Sequence, residues 1–502
     1  MTGAMRQENR SGKRFNVLLI TTDTSRCDTL GVYGSRHAVS PNLDQLASEG
    51  VVFDQSHTPA PVCMPARCSL MTGTHTPVHG CIENGVTRRT DLAMLPDLLA
   101  GAGYRNIMVG KTHFGPVPES FHVQHVLNGE KSGEGDDFYG RHLREHGYSR
   151  ATRHPNTIPE ELFSEAFLVD TTINELDAHT STSDEPLFAF CSLLSPHAPL
   201  DPPGSWATLF DGRELPPLNY LLGEELRHPR HLKLLLGLDA RESGEGVSEG
   251  HGSIPLLADG TPDMARIDAA RRLYYGLAAY CDAQIGRLIR WLDQRGLREN
   301  TLVIFTSDHG QQYWDHGFND KHNFYDASWR VPLIMRLPGV LAGGERRDFA
   351  IWNDLTATIL ATAGLESQTV QGFDLLGPLS RGERSPRRCA VSNLYRACAL
   401  ATERWKLEYF LEDGIGRLWD RVNDPAEQRD LWNDPAHVDV RQAMLHALLT
   451  WRGALTDVEW LQSHSSGGGP VAIRANRYTR SMRGTDAEQR LNEHAAAIDA
   501  HF

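Results

Sequence analysis

Asn16-Val17-Leu18-Leu19-Ile20-Thr21-Thr22-Asp23 is a short apolar run closed by hydroxyls and a carboxylate. Its unbroken hydrophobicity predicts a strand buried on both faces, as in a parallel sheet, with Asp23 at its C-terminal end. Outward from it, Pro41 to Gly50 predicts a short amphipathic helix stopped by glycine, and Val51-Val52-Phe53 a second strand. A helix over 95–102 leads into a strand over 104–109 that ends at Gly110-Lys111. A strand over 187–192 ends near His197, and 267–295 has apolar residues at helical spacing. A strand over 301–306 ends at Ser307-Asp308-His309, and 331–337 predicts one more. Strands and helices alternate, which predicts an α/β fold with a large, doubly wound, mainly parallel sheet. Charged residues recur just after strand ends, the edge at which such sheets bind ligands.

The chain changes character near residue 386. Short strands over 389–394, 398–402, 406–411 and 418–420, separated by turn residues, predict a small antiparallel sheet. The organisation is then 1–14 disordered, 15–385 the catalytic α/β domain, 386–435 the small antiparallel subdomain and 436–502 a helical tail. The tail reads as helix, a Ser465–Gly469 loop, then polar helix. Residues 202–262, rich in Pro, Gly, Glu and His, predict a long surface insertion.

At 502 residues, 40% hydrophobic and 23% charged, the composition is that of a globular protein. A net charge of -14 argues against a nucleic-acid or other polyanion partner. No run approaches the ~20 apolar residues of a membrane span. The polar N-terminus lacks a secretory h-region, so a cytoplasmic location without membrane association is expected. None of the eight cysteines forms a Cys-x-x-Cys pair. A small buried hydrophobe is the default for all of them except Cys63.

Asp23, Asp308 and His309 together compose a divalent-metal ligand set. Taken alone, Asp23 would cap a turn and Asp308-His309 would begin a loop. Lys111, His113, His197 and Lys321 are each, singly, most often solvated surface groups. Together they are donors that could surround a tetrahedral oxyanion.

Pro61-Val62-Cys63-Met64-Pro65-Ala66-Arg67-Cys68-Ser69-Leu70-Met71-Thr72-Gly73 makes the pattern specific. It resembles the signature of the formylglycine-dependent type I sulfatases of the alkaline phosphatase superfamily. Asn16–Asp23, Asp28–Gly34, Gly110-Lys111-Thr112-His113, Pro196-His197-Ala198-Pro199 and Ser307-Asp308-His309-Gly310 resemble that family's other motifs, in family order. So do Lys321 with Arg330–Ile334, and Leu418–Asp420 with Asn423–Gln428. The resemblance implies an alkaline phosphatase-like fold and hydrolysis of a small-molecule sulfate ester.

It also implies that a formylglycine-generating maturation enzyme oxidises Cys63 to an aldehyde. One hydroxyl of the hydrated aldehyde attacks sulfur, and the other then expels sulfate. Asp23, Asp308, His309 and formylglycine 63 would bind one divalent cation, Ca²⁺ first and Mn²⁺ as the alternative. Arg67 would orient the nucleophile, while Lys111, Lys321 and His197 hold sulfate oxygens. His113 would accept the proton when sulfate leaves, and His197 or Lys321 would protonate the leaving alkoxide.

Two positions depart from the family pattern. Ala66 stands where Ser is commoner. Thr24 stands where many sulfatases have a second Asp, which removes an anionic ligand and leaves at most a weak hydroxyl one. Gly115-Pro116 is similar to choline sulfatases, over too short a stretch to assign a substrate. A phosphonate monoester or phosphodiester hydrolase of the same superfamily is the nearest alternative; those relatives tend to lack the Gly-Lys-x-His motif. A Ser/Thr phosphatase is disfavoured by Cys63, and a non-catalytic anion binder by the complete set of site groups. A homo-oligomer, dimer or tetramer, is expected.

Overall fold

The computed structural model describes residues 14–127, 137–149, 155–236, 253–366, 369–455 and 484–502. The expected disorder of 1–14 (apart from residue 14) and the Ser465–Gly469 loop lie outside them. Eight strands form the large sheet: β1 (Asn16–Asp23), β2 (Val51–His57), β3 (Arg105–Lys111), β4 (Val123–Leu127), β5 (Leu187–Pro196), β6 (Thr301–Ser307), β7 (Leu333–Arg336) and β8 (Glu345–Ile351). Their spatial order is β4-β3-β5-β1-β6-β7-β2-β8. All pairings are parallel except those of β7 with β6 and β2. The strand expected over 331–337 therefore runs against its neighbours, and Pro332 immediately precedes its start.

Alternation along β1 divides the core. Val17 and Leu19 face the helices Cys63–Thr72 and Trp352–Thr362 on one side of the sheet. Leu18 and Ile20 face the helices Pro41–Ser48, Ser164–Thr180 and Met264–Gln294 on the other. Every residue of β1, β5 and β6 is buried, as the apolar runs predict. Sequence reading missed both edge strands, β4 and β8. An edge strand has one neighbour and tolerates polar residues, and Glu345-Arg346-Arg347-Asp348 reads as a loop.

The small sheet is a four-stranded antiparallel meander of β9 (Ala390–Leu394), β10 (Ala397–Ala401), β11 (Trp405–Phe410) and β12 (Ile415–Asp420). One face packs on the helices Val438–Ala454 and Gly484–His501 through Leu400, Leu407, Met444 and Leu491. Its other face meets the large domain, with Ala399, Phe410 and Trp419 against Trp329, Phe349 and Ile351. The C-terminal helices thus form a layer over the small sheet. The described parts of 202–262 are likewise more than surface: Phe210, Leu215, Leu232 and Ile254 are all buried. Of the eight cysteines, all but Cys27 are buried. No helix among the described residues is long and apolar enough to cross a membrane.

One buried polar joint fastens the last helix. Glu488 accepts hydrogen bonds from Trp451 Nε1 (2.6 Å), Arg387 Nη1 (2.7 Å) and His75 Nε2 (3.0 Å). Arg387 in turn pairs with Asp354 through two bonds of 2.6 and 2.7 Å. Burial works against the Glu488 carboxylate, but His75 and Arg387 outweigh it and hold its pKa at about 2. An unfolded Glu titrates near ~4.3. The lower folded value stabilises the protein fully above that pH, and the gain is lost as pH falls toward 2. Glu488→Gln is therefore expected to cost about 3 kcal/mol at neutral pH, because it leaves buried donors uncompensated. The difference from wild type should shrink as the pH is lowered below about 4, read by denaturant unfolding at each pH.

Candidate active site

The C-terminal ends of β3, β5, β1 and β6 lie side by side, and each delivers a polar residue to one edge of the sheet. β1 ends at Asp23, and the chain turns at Thr24 with φ of 68°, an unusual value for a β-branched residue. Two bonds hold that turn: Thr24 N donates to Asp308 Oδ1 (3.2 Å), and Tyr274 Oη donates to Thr24 O (2.7 Å). The first of these sets the Asp308 carboxylate beside Asp23. Ser307 Oγ accepts from Ser25 N (2.8 Å) and donates to His309 O (3.0 Å), joining the same two strand ends.

His309 N donates to Asp308 Oδ1 (3.0 Å), and its Nδ1 donates to Gly310 O (2.8 Å). Nε2 is left as the ligand atom, 3.1 Å from Cys63 Sγ. Gly310 is required here: a Cβ on it would lie 1.9 Å from Ala327 O.

Cys63 opens the helix Cys63–Thr72 and is 1% exposed. Its Sγ also lies 3.4 Å from Lys321 Nζ and 4.0 Å from Asp23 Oδ1. Burial and Asp23 push the thiol up, but Lys111, Lys321 and His309 outweigh them and hold it well below the usual thiol range. The helix N-terminus favours negative charge at the same place. One ligand atom each of Asp23, Cys63, Asp308 and His309 falls within 4.8 Å of the others, and all four residues are buried.

Arg67 follows Cys63 by four residues, which puts both on one face of the helix. Its Nε bonds Asp308 Oδ2 (2.8 Å), and its Nη1 bonds Ser192 Oγ (2.7 Å) and Lys111 O (3.1 Å). Nη2 lies 3.8 Å from Asp23 Oδ2 and has no hydrogen-bond partner. Lys111 Nζ pairs directly with Asp23 Oδ2. The glycine before Lys111 is also demanded by packing, since its φ is 102° and a Cβ would lie 1.9 Å from Ser192 O. Burial works against an ionised Asp23, yet Lys111, His197, Arg67 and Lys321 hold its carboxyl well below the usual range.

Lys321 Nζ sits 3.3 Å from His197 Nε2, and His197 Nδ1 bonds Ala198 O (2.7 Å). Burial and then Lys321 push the His197 pKa down. Lys321 is held up, against burial, by Cys63, Asp320, Asp23 and Asp308. With Nδ1 turned to Ala198 O, the His197 Nε2 faces the Lys321 ammonium. His197 is only partly buried, so this pair marks the solvent side of the site.

The structure thus brings together Asp23, Cys63, Arg67, Lys111, His197, Asp308, His309 and Lys321. His113 stands outside the four-ligand cluster, with φ of 50° and a buried Nδ1 that has no hydrogen-bond partner. Thr24 Oγ1 is also buried without a partner. Sequence reading gave no role to Ser192, Ser307 and Tyr274. Only the parallel register, which pairs Thr21 with Ser192, shows that Ser192 lies behind Asp23. Two buried carboxylates, an imidazole lone pair and the residue-63 side chain fit one divalent cation.

Comparison with known proteins gives the site a family. The model described as Sulfatase matches residues 15–365, and that described as N-sulphoglucosamine sulphohydrolase, C-terminal, matches residues 314–453. An arylsulfatase of Clostridium perfringens is 27% identical over 459 residues, spanning 83% of this chain and 90% of its own. An N-acetylglucosamine-6-O-sulfatase of Bacteroides thetaiotaomicron is 25% identical over 496 residues, spanning 87% of this chain and 86% of its own. Among solved structures, a phosphonate monoester hydrolase from Silicibacter pomeroyi superposes with a TM-score of 0.76 at 25% identity, spanning 89% of this chain and 97% of its own. With the sulfatase model running from the first strand to past Asp308 and His309, the chain belongs to the sulfatase family, with an alkaline phosphatase-like fold.

Proposed function

We propose that the protein hydrolyses a small-molecule sulfate monoester to an alcohol and inorganic sulfate, with residue 63 as the nucleophile. The observation that carries this reading is the place of Cys63. Its side chain sits at the centre of the cluster, 3.1 Å from His309 Nε2 and 3.4 Å from Lys321 Nζ. Its Sγ stands where the hydroxyl oxygens of a hydrated formylglycine would be. Burial of Cys63 means that a maturation enzyme would oxidise it before the chain folds. The working protein in this reading is a cytoplasmic homo-oligomer.

Asp23, Asp308, His309 and residue 63 would hold the cation, which supplies positive charge to the attacking oxygen and to the sulfate. Ca²⁺ is the ion we favour. Mn²⁺ is the alternative, because Thr24 adds no carboxylate and His309 brings nitrogen.

We give the remaining side chains the roles that the resemblance to the sulfatase motifs implies. Arg67 braces both carboxylates and keeps Nη2 free to steer the nucleophile. Lys111 neutralises Asp23 and, as the resemblance implies, holds a sulfate oxygen. Lys321 faces both residue 63 and the solvent side, so its ammonium meets the bridging oxygen, where charge grows as the ester breaks. His197 orients Lys321 and shares its proton. His113 takes the proton that releases sulfate from residue 63, the role that the resemblance to the sulfatase motifs gives it.

Two outcomes are expected. Catalytic efficiency on 4-nitrophenyl sulfate should exceed that on 4-nitrophenyl phenylphosphonate; the reverse order would make the protein a phosphonate hydrolase, as the Silicibacter neighbour is named. His113→Ala should slow turnover about 10²–10⁴-fold, with sulfate left covalently on residue 63 and visible by intact mass after a brief reaction. A variant that turns over slowly with no such adduct would remove that role from His113.

A further inference from the structure

We propose that Tyr325 is a positioning residue for Lys321, and that through it the C-terminal sheet sets the lysine at the leaving oxygen. This rests on the role given to Lys321 above. Tyr325 is 2% exposed and follows Lys321 by four residues in a segment without regular structure until Asp326. Two side chains hold its ring. His316 stacks on it at 3.6 Å between centroids with planes 4° apart, and the Arg417 guanidinium lies 4.5 Å from the ring centre.

Both are themselves fixed. His316 has its Nε2 on Asn219 Nδ2 (3.0 Å) and its Nδ1 on Glu224 (3.3 Å), both from the 202–262 insertion. Burial pushes its pKa down to about 3, so it stacks as a neutral ring. Arg417, on β12, bonds Glu408 of β11 (2.7 Å) and Tyr325 Oη (2.5 Å). The next residue is held from the same sheet, because Lys406 Nζ pairs with Asp326 (3.0 Å).

From Tyr325 the constraint passes to Lys321 through one side chain. Tyr325 N donates to Asn323 Oδ1 (3.3 Å), Gln312 Nε2 donates to the same oxygen (2.8 Å), and Asn323 Nδ2 donates to Lys321 O (3.5 Å). The ring therefore does more than fill space. It is the point where the insertion and the small sheet both fix the segment carrying Lys321. This gives the small sheet, which supplies no residue to the site cluster, a part in the reaction.

A donor at the bridging oxygen matters more the poorer the leaving group. The test is kcat/KM on a series of aryl sulfates running from 4-nitrophenyl to phenyl sulfate. Tyr325→Phe keeps the stack and should stay within about 3-fold of wild type throughout. Tyr325→Leu removes it and should lose about 100-fold on phenyl sulfate, the size expected of a misplaced catalytic group, but only a few-fold on the nitrophenyl ester. Lys321→Ala should show the same selective loss, and the double variant should add little to it.

If Tyr325→Leu does not fold, His316→Leu removes the stacking partner of the ring and should give the same pattern. A selective loss in Lys321→Ala with a uniform loss in Tyr325→Leu, or in His316→Leu where that serves, overturns the positioning role alone. A uniform loss in Lys321→Ala overturns the role of the lysine, and this proposal with it.

Discussion

Two buried carboxylates placed side by side are the constraint on which the rest depends. Asp23 and Asp308 end neighbouring strands and are fully buried. Unbalanced, such a pair would repel. Arg67 and Lys111 prevent this, one bonding Asp308 and lying close to Asp23, the other pairing with Asp23. The counter-charges come from a helix and a strand on separate parts of the chain. The site therefore exists only when β3, β5, β1 and β6 are assembled in order. The Cys63–Arg67 spacing has the same origin: one helical turn places the nucleophile above the carboxylates and the guanidinium behind them.

That arrangement leaves one cation unspent. Among the described residues, Lys321 Nζ pairs with no carboxylate oxygen and reaches Cys63 and His197 instead. Its charge is sustained by the field of the whole anionic cluster. A cation held by the field, facing the solvent side, suits an incoming sulfate better than one locked in a salt bridge.

Much of this was legible in the sequence because the deciding elements carry strong local signals. β1, β5 and β6 are apolar runs ending in polar residues, and the large sheet requires little else to be inferred. Asp23, Cys63, Asp308 and His309 were readable as a set through their places at strand ends and the resemblance of their motifs to those of the sulfatases. What sequence did not reveal depends on register and contact. Ser192 is an ordinary strand residue until the pairing of β5 with β1 places it against Arg67. Tyr274 looks like one more apolar position of a long helix, yet its hydroxyl holds the Thr24 turn. The edge strands escaped because their residues answer to solvent as much as to the core. The 202–262 insertion was read as surface because its composition is polar, while its few apolar residues seat it against the site loops.

The central claim is that residue 63 works as an oxygen nucleophile and not as a thiol. The most direct measurement is the mass of the proteolytic peptide containing residue 63, from protein made in its native host or together with a maturation enzyme. The account predicts the aldehyde or its hydrate at that position. An unmodified cysteine in protein that still cleaves sulfate esters would contradict it.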